Sequence, residues 1–309
     1  METENRQAAC QCDILNMLGG LWGLPVFHSG CSLCGSASGT KRSLSAGCSF
    51  RKIKEVLDMM IEFGQQNPHV IMLLHGGGLS WWNYREAARL LAEDYHVILP
   101  VLDGHAGNDT HFTTIEDNAA RLISYIDTRF GGQILAIGGL SLGGQIAAEM
   151  LSQRTCICQY ALIESALVKP MKLTSALIAP TFGASYGLVK QKWFAKLQAD
   201  YLGIPEALFD DYFRDTCAIS KADMIAFLKA NSMYTIKPEL SETTAKVKIV
   251  AGSKEQKNIR TSAKLLHQAI PHSSEEILPD LRHGDLSINQ PEQYARMLKD
   301  LLTKKRGSG

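Results

Sequence analysis

The stretch Ile134-Leu135-Ala136-Ile137-Gly138-Gly139-Leu140-Ser141-Leu142-Gly143, running on into Gly144-Gln145-Ile146-Ala147-Ala148-Glu149-Met150-Leu151, decides how this chain is read. Its first four residues are an apolar run of strand type and its last eight a helical pattern. A serine between small residues stands where one becomes the other. Glycines at 139 and 143 allow a tight turn and close helix–strand contact, so the hydroxyl is thrust clear of the sheet. The N–H of Leu142 opens the helix and points where negative charge would form on a reacting carbonyl. Earlier in the chain, Val70-Ile71-Met72-Leu73-Leu74 runs into a second glycine-rich turn, His75-Gly76-Gly77-Gly78. Gly77 is the residue of that turn expected to supply a second N–H donor.

Either string alone recurs in many parallel sheets. Together, in this order and each behind a buried-strand run, they are specific, and residues from about 69 to 302 resemble an α/β-hydrolase. The order of parts is similar to that family: oxyanion turn, nucleophile, acid, then a late histidine. The resemblance implies an α/β fold with a doubly wound, mostly parallel sheet and an inserted helical cap. It defines machinery better than substrate, because the family's members do varied chemistry.

Working outward, the strand candidates are His69–Leu74, Tyr95–Leu99, Gln133–Ile137, Gln159–Ile163, Lys246–Ala251 and Glu275–Leu278. Their continuous apolar runs suit strands covered on both faces. Helical segments alternate with them, at Trp82 to Glu93, Ile115 to Arg129, Gly144 to Gln153, Arg260 to Ala269 and Gln290 to Leu302. That alternation predicts right-handed crossovers and functional groups at the C-terminal edge of the sheet. The interval between Ile163 and Lys246 is too long for one crossover. Trp193, Phe194, Leu197 and Tyr201 recur there at helical spacing. Pro205 starts a second helix, and Ser220-Lys221-Ala222-Asp223 is a capping box for a third. Residues 168–240 are therefore expected to form the cap, with some of its aromatics lining an apolar pocket.

Length and composition agree with one enzyme-sized domain, since 309 residues with 45% hydrophobic content can bury a single large core. Lys+Arg and Asp+Glu nearly balance at 32 and 31, so no basic surface argues for nucleic acid, and Lys304-Lys305-Arg306 is a solvated helix end. Five of the eight cysteines, Cys10, Cys12, Cys31, Cys34 and Cys48, fall near the start of the chain. Four thiolates there could hold zinc, but Cys-x-Cys is a poor half-site and no knuckle scaffold surrounds it, so no metal and no cofactor is expected. Cys156, Cys158 and Cys217 are expected as packed free thiols of a reducing compartment, which places the protein in the cytoplasm. Residues 1–50 differ in composition from the rest and read as a Cys/Gly/Ser-rich extension, partly disordered, outside a catalytic domain spanning 51–306. Their apolar stretch from Ile14 to Phe27 is too short and interrupted to span a bilayer, and Glu2, Glu4 and Asp13 spoil a signal leader.

The resemblance assigns the reacting groups residue by residue. Ser141 needs a base to become a nucleophile. His28 lies in the extension, and His69 and His96 sit at strand starts. His75 belongs to the oxyanion turn, and His105 and His111 to a loop near the pocket entrance. His267 and His272 flank a helix end. His283, in Leu281-Arg282-His283-Gly284-Asp285 after the last strand, occupies the position of the family's base. Glu255 closes Gly252-Ser253-Lys254-Glu255, matching the family's Gly-x-x-Asp with glutamate for aspartate. Glu164, at the end of the preceding strand, is the alternative acid, because some relatives carry it one strand earlier. The expected activity is hydrolysis of a carboxylic ester or related acyl compound by Ser141, His283 and Glu255, with Gly77 and Leu142 as the oxyanion hole. The substrate is expected to be a small molecule with an apolar acyl group. Carbon–carbon bond hydrolysis, aminopeptidase action and acyl transfer use the same residues, and a ligand-binding receptor that keeps the triad is a reading of another class. The sequence leaves the oligomeric state open.

Overall fold

The computed structural model describes residues 59–303. The expectations for residues 1–50, including the cluster of cysteines, fall outside the described residues. The described chain is built on a seven-stranded sheet in the order β1-β3-β2-β4-β5-β6-β7. The strands are β1 (Met60–Phe63), β2 (Val70–Leu74), β3 (His96–Pro100), β4 (Ile134–Leu140), β5 (Cys158–Glu164), β6 (Lys246–Gly252) and β7 (Ser273–Leu278). All neighbours are parallel except β1, which runs antiparallel to β3. The helices are α1 (Arg85–Leu91), α2 (Ile115–Phe130), α3 (Leu142–Gln153), α4 (Lys172–Val189), α5 (Lys192–Leu202), α6 (Phe209–Ala218), α7 (Lys221–Met233), α8 (Lys257–Ala269), α9 (Asp285–Asn289) and α10 (Pro291–Thr303).

The apolar runs behave as a doubly covered sheet demands. Successive side chains of a strand point to opposite faces. Ile71, Leu73, Ala136, Leu162 and Val250 join one core cluster with Ala87, Leu91, Tyr294 and Leu298 of α1 and α10. The residues between them, Met72, Leu74, Ile137, Ile163 and Ile249, are also buried, on the face opposite that cluster.

Three boundaries differ from the sequence reading for local reasons. β1 adds a strand that the apolar runs do not predict, because its four residues are only half-buried and include Glu62, whose Oε2 lies 2.6 Å from His96 Nε2. β4 continues through Gly138 and Gly139 to Leu140, three residues past the expected end at Ile137. The glycines there answer packing: a Cβ on Gly138 would meet the Tyr294 hydroxyl at 2.3 Å. Between β5 and β6 the chain forms α4 to α7, and the first of these, over Lys172–Val189, had no amphipathic signature to announce it.

Candidate active site

Ser141 stands between the last residue of β4 and the first of α3, with φ 53° and ψ −111°. A non-glycine residue in that region costs on the order of 1–3 kcal/mol and persists only where its surroundings over-determine it. Here the Ser141 N–H donates to the Glu164 carbonyl at 2.9 Å, and its own carbonyl accepts the Gln145 N–H at 2.9 Å. The flanking glycines follow from close approach of main chain. A Cβ on Gly143 would lie 2.1 Å from the Leu74 carbonyl oxygen, and one on Gly139 would lie 2.3 Å from that of Gly143. The N-terminus of α3 is thereby pressed against the end of β2, beside the second glycine-rich turn.

That turn is clamped by its neighbours. The Gly76 N–H donates to Asn83 Oδ1 at 3.2 Å, and the Gly78 N–H donates to His105 Nε2 at 3.0 Å. Gly77, between them, has no acceptor for its N–H among the described residues. Leu142 opens α3, so its N–H lacks an acceptor within the helix. A Cβ added to Gly77 would touch the Leu142 side chain at 3.4 Å, so the two residues are neighbours. Two buried histidines complete the clamp. His75 donates from Nδ1 to the Gly76 carbonyl and accepts the Leu102 N–H at Nε2. His105 donates from Nδ1 to the Asp103 carbonyl. An Nε2 that accepts from an amide has no room for a second proton, and burial agrees. It holds His75 well below its ordinary value, helped by His105, and pushes His105 down to about 4. Both are neutral braces.

At the far side of the sheet edge, His283 Nδ1 lies 2.7 Å from Glu255 Oε2. The other carboxylate oxygen, Oε1, accepts the Ser165 hydroxyl and the Gly252 N–H, each at 2.7 Å. The imidazole is thus held in the tautomer that leaves the lone pair on Nε2. Burial pulls the imidazolium down, but the Glu255 charge and hydrogen bond, reinforced by Glu164 and Asp285, outweigh it and raise the His283 pKa above 6.5. Glu164 sits elsewhere in the network. It is buried, its Oε1 accepts the Ser287 N–H at 3.3 Å, and burial, eased by Ser287, pushes its carboxyl up to about 7. Asp285 turns back to accept the Arg282 N–H at 2.7 Å. The loop carrying His283 reaches the elbow through Gly284, where a Cβ would touch the Leu140 side chain at 3.2 Å. The strained Ser141, the Gly76–Gly78 turn and the His283–Glu255 pair all follow the C-terminal ends of parallel strands, at one edge of the sheet.

Residues 71–297 match the alpha/beta hydrolase family. The chain belongs to that family. It is 25% identical over 249 residues to an AB hydrolase superfamily protein of Gibberella zeae (strain ATCC MYA-4620 / CBS 123657 / FGSC 9075 / NRRL 31084 / PH-1), covering 77% of this chain and 82% of the relative. Its fold is similar to the crystal structure of an alpha/beta hydrolase family protein from Desulfitobacterium hafniense. That match has a TM-score of 0.65 and 21% identity, over 79% of this chain and 99% of the other. It is also similar to a thermophilic esterase from Thermogutta terrifontis, with a TM-score of 0.62 and 16% identity over 79% and 92%. At these identities the two structures speak for the fold.

Several contributors to this hydrolase's site were not read from the sequence. Ser165, with φ 55°, carries one of the hydrogen bonds that fix Glu255. Its only signal was its place one residue beyond β5. His105, in the loop after β3, braces the Gly76–Gly78 turn and stacks on Phe227 of α7 with ring centroids 4.7 Å apart. Asn83 links that turn to Ser287, whose N–H meets Glu164. Phe227 also borders the turn, since a Cβ on Gly77 would meet it at 3.5 Å. Among the thiols, Cys158 is buried as expected, and Cys156 is exposed. Among the described residues no group of three or more His, Cys, Asp or Glu could hold a metal, and no helix is long and apolar enough to cross a membrane.

Proposed function

We propose that this alpha/beta hydrolase cleaves carboxylic esters of apolar acids through a Ser141–His283–Glu255 triad and an acyl-enzyme. The observation that carries the reading is the Glu255–His283 hydrogen bond, at 2.7 Å, with the second carboxylate oxygen fully engaged by Ser165 and Gly252. A carboxylate so held orients the imidazole and stabilises the charge it acquires. His283 Nε2 takes the proton of Ser141 as Oγ attacks the ester carbonyl. The N–H groups of Leu142 and Gly77 hold the tetrahedral oxyanion. His283 then returns the proton to the leaving alcohol, and a water deprotonated by the same nitrogen releases the acid. Every step is met by side chains and main chain of this protein, with no cofactor.

Esters are favoured by the likeness to the Thermogutta terrifontis esterase, and an apolar acyl group by the Phe227 ring beside the Gly77 turn. Residues 168–240 act as the cap that selects the acyl group. Free Cys156, Cys158 and Cys217 accord with a cytoplasmic location. The test is turnover of p-nitrophenyl esters of increasing chain length by the native chain and by Ser141→Ala. Activity should rise about fourfold per added methylene until the pocket is full, at about 0.8 kcal/mol each, and should vanish in the variant with the circular dichroism unchanged. Equal rates on acetyl and hexanoyl esters would refute the apolar preference, and undiminished turnover in Ser141→Ala would refute the mechanism.

A further inference from the structure

From Ser165 to Ala199 the chain has no aspartate or glutamate and five lysines, at 169, 172, 190, 192 and 196. Within this stretch α4 has one buried and one exposed face. Ile178, Phe182, Ser185 and Val189 are buried at helical spacing. The opposite stripe, Leu173, Ala176, Leu177, Pro180, Gly183 and Gly187, is solvent-exposed. A solvent-facing helix stripe without one polar side chain is unusual in a water-exposed protein surface. Leu173 is 67% exposed and Leu177 43%, and the following helix, α5, adds Trp193 at 53% and Leu197 at 43%.

Most of the cations around the stripe have no carboxylate partner among the described residues. Lys196 pairs with Asp200 and Glu206. Among the described residues Lys169, Lys172, Lys190 and Lys192 form no ion pair. Lys221 of α7 reaches the stripe itself, donating to the Gly183 carbonyl at 2.9 Å. Cations thus stand at both ends of the stripe and beside its middle.

We propose that the exposed face of α4, with Trp193 and Leu197 of α5, docks on an anionic lipid surface. Leucines would enter the acyl boundary, Trp193 would sit at the headgroup level, and the lysines would meet lipid phosphates. The stripe offers no side-chain hydrogen bonds, which a bilayer does not require. A second copy of the chain is the poorer partner, because a two-fold contact through this face would bring the same cations together. The face lies one helix from the site: α4 packs on α7, whose Phe227 borders the Gly77 turn. Delivery of amphiphilic esters from the lipid to Ser141 would rest on the hydrolase mechanism above; the docking itself does not.

Cosedimentation of the full chain with vesicles tests this, using phosphatidylcholine alone and with about a third phosphatidylserine. The native chain and Ser141→Ala should bind the anionic vesicles equally and leave phosphatidylcholine largely unbound, and binding should weaken as salt rises. Lys169→Glu and Lys172→Glu should each lower partitioning about fivefold or more. Leu173→Glu combined with Leu177→Glu should lower it at least about tenfold. The circular dichroism and melting temperature of that double variant should match those of the native chain, which reports that it folds. The proposal is overturned if the anionic vesicles are not bound, or if the leucine variant binds undiminished. It is also overturned if light scattering shows that variant merely dissociating a dimer, or if removing residues 1–50, and not the leucine change, abolishes binding.

Discussion

The sheet edge and the helical insert are held together by different kinds of force. At the edge, main chain meets main chain: Gly143 against the Leu74 carbonyl, Gly139 against Gly143, Gly252 against the Leu281 carbonyl at 2.1 Å for an added Cβ. Such contacts leave few alternatives, and interiors packed this closely transmit any misfit. The insert is attached by side chains instead: Ala195, Ala199, Phe209 and Tyr212 join the core cluster, and scattered polar bonds add to them. Trp82 Nε1 donates to Asp215 at 2.8 Å, Gln145 Nε2 to the Leu167 and Asn231 carbonyls, and the Tyr234 hydroxyl to Glu149. Asp223 receives the Phe112 N–H at 2.9 Å and faces His111. Such bonds contribute about 0.5–1.5 kcal/mol net where both partners are neutral and about 1.5–3 kcal/mol where the acceptor is a carboxylate. The candidate site is thus anchored where backbone geometry leaves no freedom, while the covering helices are attached by replaceable side chains.

Substitutions that break this contrast should rank accordingly. Ser141→Ala should remove all but a trace of ester turnover, measured by initial rates, since only binding and the oxyanion donors remain. Glu255→Gln should lower kcat/KM roughly 10³–10⁴-fold. The pH profile sharpens that test. The base must be neutral, so activity should climb with pH through a midpoint above 6.5, and Glu255→Gln should move the midpoint down by removing the charge that raises it. On the insert, Asp215→Asn should leave kcat within a few-fold while lowering stability by about 1–3 kcal/mol, because Trp82 and Arg214 lose a charged partner. Thermal unfolding with parallel kinetics distinguishes these outcomes. A collapse of kcat would mean that the insert sets the chemistry too.

Glu164→Gln should change turnover least. Its effect should appear in stability against pH. A carboxyl raised from 4.5 to about 7 favours the unfolded state increasingly as pH rises through that window, by up to about 3 kcal/mol above it. Removing the charge should therefore raise the melting temperature relative to the native chain more at pH 8 than at pH 5. An equal difference at both pH values would show that Glu164 is not raised.

The same contrast explains what could be read in advance. β2 and β4 are apolar runs ending in glycine turns, so strand, elbow and oxyanion turn were legible in consecutive residues. His283 and Glu255 were legible only as positions after strands, because their meeting depends on the β6–β7 pairing that brings Gly252 opposite Leu278. Ser165 and His105 left no local mark, since their roles arise from contacts with residues 90 and 27 positions away. α4 was hidden for the opposite reason. It is apolar or small on both faces, so no periodic stripe separated it from a loop.

In the proposed mechanism Ser141 is the residue activated by the Glu255–His283 pair. Fluorophosphonate labelling, located by peptide mass spectrometry and timed across pH, tests it most directly. One adduct should form on Ser141, at a rate that rises with the deprotonation of His283 and falls by orders of magnitude in Glu255→Gln. An adduct on another residue, or labelling of Ser141 at the same rate in Glu255→Gln, would contradict it.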